Sequence, residues 1–322
     1  MNYSDLTGRW VCIGCFFVAI SAFSQTAEVV VEVTEESNLP VHNATVVVAF
    51  EHKLERGFGW GSQSKEQRSV TDSNGKCSIN GACDGSLGLA VIKEGYYSSS
   101  GYRIEFTNAV AGRWQPWKPV FEVALKKQVE PIAMYAKAIG RGRMAKLPQL
   151  GQPCAFDLEK GDWVQPAGRG LRADIYMKVE SQIVSAREYA ARLTISFPNT
   201  GDGLQLFPAQ PYRGSSLRLP RIAPESGYEA MLTKQITRTN APSKSDLRED
   251  ANYFYRIRTV VRDGKVVSGL YGKIYGDFSF TPKGEVTFTY FLNPTENSRN
   301  MEFDQSKNLF KNLSSMEQVT VP

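Results

Sequence analysis

The sequence predicts an all-β protein built of two sandwiches, and three observations predict this fold class. Short runs of alternating apolar and polar residues recur along the chain, turn-forming residues separate them, and no long helical periodicity is present. With 322 residues, the chain exceeds the usual length of one domain. We therefore expect residues 25–127 to form a small seven-stranded sandwich and residues 128–322 a larger antiparallel one.

The first part contains four segments whose apolar residues follow the pattern of a half-buried strand. They are residues 28–34 (EVVVEVT), 45–50 (TVVVAF), 87–93 (LGLAVIK) and 120–125 (VFEVAL). A turn at residues 72–75 (DSNG) and a glycine-rich run at 57–61 stand between them. Turn signals at intervals of about 8–12 residues are typical of a small antiparallel sandwich.

The motifs of this part resemble a known family. After the opening strand, residues 39–46 read LPVHNATV, residues 71–76 read TDSNGK and residues 91–96 read VIKEGY. This order is similar to the carboxypeptidase regulatory-like, or prealbumin-like, β-sandwich domain, whose usual pattern is G-x-P-V-x-G-A-x-V, T-D-x-x-G-x-F and K-x-G-Y. The resemblance covers residues 27–127 and implies an Ig/prealbumin-like accessory module of secreted and cell-surface proteins. It implies no catalytic residues, because the family has none to transfer.

Two departures from this family pattern lead to structural expectations. Asn38-Leu39 and Asn43 replace the usual glycines, and Asn tolerates the left-handed conformation that those glycines serve. Cys77 stands where the hairpin usually has an inward aromatic residue, which raises the case for a disulfide. Cys77 and Cys83 are candidates for such a bridge if a turn brings them together, with Cys154 left over; the alternative is three small buried side chains.

The second part, residues 128–322, has strand-like segments but no family resemblance. The segments are residues 173–179, 190–197, 253–261, 269–275 and 286–292. Asp263-Gly264 between two β-branched runs predicts a tight hairpin. Residues 229–237 are compatible with a strand or with a short helix.

The N-terminus is typical of an exported protein. Residues 10–23 form an uncharged apolar run that is too short for a membrane span of about 20 residues. Ala22 and Ser24 supply the small residues of a signal-peptidase site, so we expect residues 1–24 to be a signal peptide cleaved after Ser24. A lipoprotein signal at Gly14-Cys15 is the alternative. No later stretch reaches transmembrane length, and a secreted, periplasmic or cell-surface location follows.

Several classes of enzyme are disfavoured by what the chain lacks. Its two histidines, His42 and His52, both lie in the first part, so a Ser-His-Asp or Cys-His system in the second part has no base. Phosphate-binding glycine loops and acidic calcium motifs are missing as well. We assign no catalytic residue, metal or cofactor. A hydrolase with paired carboxylates stays open, with seven candidates: Asp157, Glu159, Asp162, Asp174, Glu249, Asp250 and Asp277.

Four tryptophans are the candidate ligand-binding residues: Trp60, Trp114, Trp117 and Trp163. Flat aromatic rings beside polar groups stack on sugar faces or on partner proteins. The alternative for Trp114 and Trp117 is a seam between the two parts, because both precede the connection at residue 128 by about a dozen residues.

Charge separates the two parts. Residues 25–127 carry 11 basic and 12 acidic side chains, whereas residues 128–322 carry 26 and 20, with a basic stretch over residues 137–146. A basic surface on an exported protein favours acidic polysaccharides or anionic envelope surfaces, and nucleic acid is not an expected partner. We interpret the chain as a bacterial envelope or extracellular binding protein whose partner is a polysaccharide or another surface protein. The alternatives are a carbohydrate-active hydrolase and a structural assembly subunit.

Overall fold

The computed structural model describes residues 25–56, 59–141, 145–209, 214–239 and 242–322, without the side chains of residues 54–61 and 100. The predicted signal peptide and its cleavage site lie outside the described residues. The elements are strands and one short 3₁₀ helix at Gln305–Lys307, which confirms the predicted all-β class. In the part of the chain described, no helix is long and apolar enough to cross a membrane.

Residues 25–127 form two facing sheets. Their strands are β1 (Gln25–Glu35), β2 (Thr45–Arg56), β3 (Gly59–Val70), β4 (Lys76–Cys83), β5 (Ser86–Ile92), β6 (Tyr96–Tyr97), β7 (Ser99–Glu105), β8 (Asn108–Val110), β9 (Arg113–Gln115) and β10 (Val120–Lys127). One sheet has the order β6-β10-β1-β9-β8, with β4 also paired to β1, and the other has the order β3-β2-β5-β7. The alternating valines of β1 and β2 point between the sheets and form their core.

The first sandwich differs from the prediction in strand number and in one direction. The described residues of this part form ten strands, several of them very short, where seven were expected. β1 also pairs in parallel with β10, from Val30 with Val120 to Glu35 with Leu125. β4 occupies one edge of β1 and leaves the opposite edge for β10. The chain then crosses to the other sheet and returns along the free edge in the direction of β1.

Both asparagines that replace family glycines have the expected backbone conformation. The φ angle is 63° at Asn38 and 53° at Asn43, in the left-handed region. The prediction is therefore confirmed, since the side chain of Asn tolerates this region better than other non-glycine residues do.

The predicted disulfide between Cys77 and Cys83 is wrong. Both residues lie in β4, and all three described cysteines have free thiols. Six residues of extended strand separate the two α-carbons by about 20 Å, whereas a disulfide requires them within about 7 Å. The expected turn follows Cys83, at Asp84 and Gly85, and so cannot bring the two thiols together.

Residues 128–322 form two antiparallel sheets, as predicted. Their strands are β11 (Tyr135–Ile139), β12 (Ala145–Lys146), β13 (Cys154–Asp157), β14 (Asp162–Trp163), β15 (Ile175–Ser185), β16 (Glu188–Ser196), β17 (Gly203–Leu206), β18 (Met231–Arg238), β19 (Lys244–Ser245), β20 (Asn252–Arg262), β21 (Lys265–Phe280) and β22 (Glu285–Leu292). The first sheet has the order β11-β22-β21-β20-β17, and β12 also pairs with β22. The second sheet has the order β14-β13-β15-β16-β18-β19.

The local predictions for this part agree with the structure. All five strand-like segments lie in or overlap strands β15, β16, β20, β21 and β22. Asp263 and Gly264 have φ angles of 49° and 70°, as the two central residues of a type I′ hairpin require. The ambiguous segment 229–237 forms strand β18.

The sheet β11-β22-β21-β20-β17 is buried on both faces. One face packs on the second sheet through a large aromatic core that includes Tyr253, Phe278 and Phe288. The opposite face packs on irregular chain, where Leu219 and the C-terminal residues Met301 and Phe303 meet it. The C-terminal segment is therefore an ordered cover of the sheet.

The two parts of the chain meet around Arg221 and Glu302. Glu302, with 1% of its surface exposed, accepts hydrogen bonds from the backbone amides of Val129 and Glu130 and from Arg221. Arg221 also donates to Glu36 at 2.6 Å and to the carbonyl oxygen of Lys127 at 2.7 Å. One carboxylate and one guanidinium thus fix the connection between the two parts.

Lys273 is a completely buried lysine beneath the C-terminal cover. Its Nζ donates to the Met301 carbonyl oxygen at 2.6 Å and lies 4.8 and 4.7 Å from the ring centroids of Tyr275 and Phe291. Burial lowers the pKa of Lys273 well below its ordinary value. Between the folded and unfolded pKa values, the unfolded chain binds more protons than the folded chain, so stability rises with pH in that window.

We predict that Lys273→Met makes the free energy of unfolding less dependent on pH. Below pH 10.5, the free energy of unfolding of the wild type should rise with pH by up to about 1.4 kcal/mol per pH unit because of Lys273. The variant should lack this contribution to the slope. Urea unfolding at several pH values between 7 and 10 measures this slope. The control is Lys65→Met at an exposed position of β3. Equal slopes for wild type and Lys273→Met would contradict the prediction.

Candidate functional site

A cleft of about 510 Å³ opens where the two sheets of the second part end side by side. β11 and β12 form its wall on one sheet, and β14, the terminal strand of the other sheet, forms the opposite wall. The irregular segment 314–317 closes a third side. Its polar lining residues include Lys137, Arg141, Asp162 and Glu317.

The β13–β14 turn is shaped by Asp157 and Gly161. Oδ1 of Asp157 accepts hydrogen bonds from the amides of Glu159 and Lys160, which stabilises the turn locally. Gly161 has a φ of 62°, and a β-carbon there would lie 2.9 Å from the Lys137 side chain. Glycine therefore allows both the turn and the close approach of Lys137, whose Nζ donates to the Gly161 carbonyl oxygen at 3.1 Å.

Trp163 is the one sequence-predicted tryptophan that lines this cleft. Its ring meets Phe156 edge to face at 5.1 Å, and 8% of the residue is exposed. Phe156 also lines the cleft. Trp163 therefore provides an aromatic edge at the base of the cleft rather than an open stacking platform.

Two ion pairs line the cleft. Lys137 Nζ lies 3.0 Å from Oε1 of Glu317, and Asp162 Oδ2 lies 3.1 Å from Nε of Arg169. Burial raises the pKa of the Glu317 carboxyl, but hydrogen bonds from Lys137 and Ser314 outweigh burial and leave the pKa below its ordinary value. The carboxylate of Glu317 is therefore ionised at neutral pH.

The other three tryptophans lie in the first part, away from the cleft. Trp114 is half-buried, stacks on Phe106 at 5.9 Å and donates to the Cys83 carbonyl oxygen, so it belongs to the first core. Trp117 is half-buried beneath the Arg113 guanidinium at 4.9 Å. Trp60 lies in β3 at the β2–β3 hairpin, and its side chain is outside the described residues.

The seam between the two parts does not involve Trp114 in the described structure. Arg113, next to Trp114, pairs with Thr26 at the start of β1. The contacts between the two parts lie near Glu36 and Lys127, beyond the other end of β1. Nine residues of strand place these two ends about 30 Å apart. The expectation of a tryptophan seam is therefore wrong, because closeness in sequence to residue 128 does not give closeness in space.

Three of the seven candidate carboxylates converge on Arg258. Its guanidinium donates to Asp174 at 2.8 and 3.1 Å and to Glu159 at 2.7 Å, and lies 3.7 Å from Asp157. Arg258 itself has a φ of 55° at a bulge in β20. The sequence gives no signal for this cluster, since Arg258 is 84 residues from Asp174 and belongs to no motif.

Two acids of this cluster, Asp157 and Asp174, are buried and fully engaged. Burial raises the pKa of Asp174, while its hydrogen bonds to Arg258 oppose that rise. Burial also raises the pKa of Asp157, but backbone amides of Leu171, Lys160 and Arg172 outweigh it and lower the pKa overall. A general acid or nucleophile must reach its substrate. Asp157 and Asp174 are 2% and 1% exposed, so the cluster fits a structural role better than glycoside hydrolysis.

Of the remaining candidate acids, Asp277 and Asp250 are held by neighbouring groups, and Glu249 is exposed. Asp277 accepts hydrogen bonds from Lys234, Tyr253 and two backbone amides, and Asp250 pairs with Arg248. His52 lies 3.9 Å from Asp84. Among the described residues, no group of three or more His, Cys, Asp or Glu side chains could hold a metal ion.

We predict that Arg258→Met costs about 3–5 kcal/mol of stability, because it leaves Asp157 and Asp174 buried without their cation. Chemical unfolding of both proteins measures this difference. The control is Arg187→Met, at an exposed position in the β15–β16 turn, which we expect to change stability by less than about 0.5 kcal/mol. A similarly small loss for Arg258→Met would show that the acids do not depend on it.

No family model and no curated protein match the chain. Solved structures that are similar to it include 3-chlorocatechol 1,2-dioxygenase from Rhodococcus opacus 1CP, with 13% identity over 39% of this chain and 73% of that chain and a TM-score of 0.26. BcpA, the major pilin subunit of Bacillus cereus, is 12% identical over 83% and 67% of the two chains, with a TM-score of 0.23. A "putative carbohydrate binding protein" from Bacteroides uniformis is 10% identical over 84% and 98%, with a TM-score of 0.17. These likenesses establish neither a family nor a function.

Proposed function

We propose that this chain is an exported, non-catalytic binding protein that holds a polysaccharide in the cleft between β11–β12 and β14. The observation that carries the proposal is the meeting, in one open cleft, of the Trp163 and Phe156 rings with charged side chains on both walls. Sugar-binding sites combine aromatic contacts with polar groups that fix the hydroxyls, and this cleft offers the edge of the Trp163 ring together with charged side chains.

Residues 25–127 act in this proposal as an accessory module of the carboxypeptidase regulatory-like kind. The motifs at residues 39–46, 71–76 and 91–96 support it, and so do Asn38 and Asn43 in the left-handed conformation. Export to the envelope or the extracellular space is supported by the apolar N-terminal run and the small residues before Gln25.

A hydrolase is the weaker candidate, because the acids that come together are engaged by Arg258 and by backbone amides. A structural assembly subunit is the third candidate. Such a subunit would bind another protein and no glycan. Glycan binding therefore separates the proposal from assembly, and release of reducing sugar separates it from hydrolysis.

We predict that a glycan array gives a signal with the secreted chain and that two cleft variants weaken it. Arg141→Ala removes a cation from the rim, and Trp163→Phe keeps most of the core volume but removes the indole edge. Each should weaken binding by about 5- to 30-fold, the effect of about 1–2 kcal/mol lost at a contact. Isothermal titration with the best glycan measures the change.

The matched control is Trp117→Ala, which removes an aromatic ring from the first part. It should leave binding unchanged, with circular dichroism showing that all variants are folded. Loss of binding in Trp117→Ala but not in the cleft variants would move the site to the first part. The absence of a binding signal for the wild type on every glycan of the array would contradict the proposal.

We predict that residues 25–127 fold without the rest of the chain. Their buried core draws all its residues from positions 27–125, which supports a separate module. The measurement is cooperative thermal unfolding of the fragment, followed by circular dichroism. A fragment without a cooperative transition would show that the first part depends on its contacts with Arg221 and Glu302.

A further inference from the structure

Lys137 is a mostly buried cation on the wall of the proposed sugar cleft. Its side chain is 11% exposed. It lies on β11 between Tyr135 and Ile139, on the strand face that meets the larger core. Its ammonium group contacts the Gly161 carbonyl oxygen, the Glu317 carboxylate and the Phe310 ring, at 5.8 Å from the ring centroid. Of these partners only Glu317 carries a charge.

Glu317 reaches Lys137 from an irregular segment. The side chain is 37% exposed, more than three times the exposure of Lys137. Its second oxygen accepts from the amide and hydroxyl of Ser314, and its backbone carbonyl accepts from the amide of Ala138. The backbone contact does not involve the carboxylate, so rotation of the glutamate side chain can free Lys137 without displacing the segment.

The rim of the cleft carries more positive than negative charge. Lys137 and Arg141 line it, and Arg169 pairs with the lining residue Asp162. Against these three cations stand the carboxylates of Asp162 and Glu317. Such an excess draws anions into a cleft.

We infer that the polysaccharide of the proposed function is acidic, and that a uronic acid carboxylate binds Lys137 in the place that Glu317 fills in the free protein. This inference rests on the proposed function. Glu317 acts as an internal competitor: it satisfies the charge of Lys137 when the cleft is empty and turns to solvent when a sugar carboxylate arrives. The exchange replaces one carboxylate by another, so the cation is never left without a partner.

The test is isothermal titration of the chain with hexasaccharides of galacturonate and of mannuronate, each beside its carboxyl-reduced, neutral form. The wild type should bind at least one acidic hexasaccharide about tenfold more tightly than the neutral form. Glu317→Gln should raise the ratio of acidic to neutral binding by about fivefold over that of the wild type. Lys137→Met should remove the preference for the acidic form. The control is Glu225→Gln, which breaks the exposed ion pair with Arg299.

Each outcome has one meaning. Equal binding of acidic and neutral sugars, or weaker acidic binding by Glu317→Gln, would overturn the inference and leave the proposed function standing. No binding of any sugar in the titrations and on the array would overturn both. If Lys137→Met does not fold, as circular dichroism would show, Glu317→Gln alone decides the result, since its side chain is on an exposed segment.

Discussion

The sheet β11-β22-β21-β20-β17 buries both of its faces, and the architecture of residues 128–322 follows from this constraint. A two-layer sandwich covers only one face of each sheet. The second face of this sheet carries Phe254, Tyr271 and Phe291, which need apolar cover. The chain supplies that cover from irregular segments, chiefly residues 299–303 and the C-terminal residues up to Pro322.

Covering a sheet with irregular chain creates a hydrogen-bonding problem. Backbone groups of such a segment have few ladder partners beyond isolated bridges at Asn300 and Phe303, so side chains must satisfy the others where water is excluded. Lys273 fills this role for the Met301 carbonyl, and the Tyr275 hydroxyl donates to the carbonyl of Pro322. Glu302 does the same for the amides of Val129 and Glu130. The buried ionisable side chains Lys273 and Glu302 are therefore explained by the backbone groups that they satisfy.

Local features of the fold could be predicted from the sequence, whereas distant contacts could not. Alternation located β1 and β20, Asp263-Gly264 located a hairpin, and Asn38 was correctly expected at a left-handed turn, because these signals lie within a few residues. The parallel pairing of β1 with β10 and the convergence of acids on Arg258 join residues about 85–100 positions apart. No local pattern encodes such pairings, since any of many carboxylates could satisfy one arginine. For the candidate site, Trp163 and the basic stretch were visible in the sequence, but their meeting with Glu317 was not.

The same constraint that buries the second face also places the C-terminal segment beside the cleft. After covering the sheet, the chain runs along β11, where Asn308 bonds the backbone of Ala136 in both directions and Phe310 packs on Tyr135. The chain that leads to residues 314–317 is therefore held in place against β11 before it reaches the cleft. The opposite wall is equally fixed, because Asp157 accepts hydrogen bonds from two backbone amides of the β13–β14 turn and from the amides of Leu171 and Arg172 beyond β14. Of the groups around Lys137, the Glu317 carboxylate is thus the one whose exchange requires no rearrangement of buried backbone. A preorganised wall with one exchangeable anion favours a charged ligand, since binding then costs little ordering of the protein.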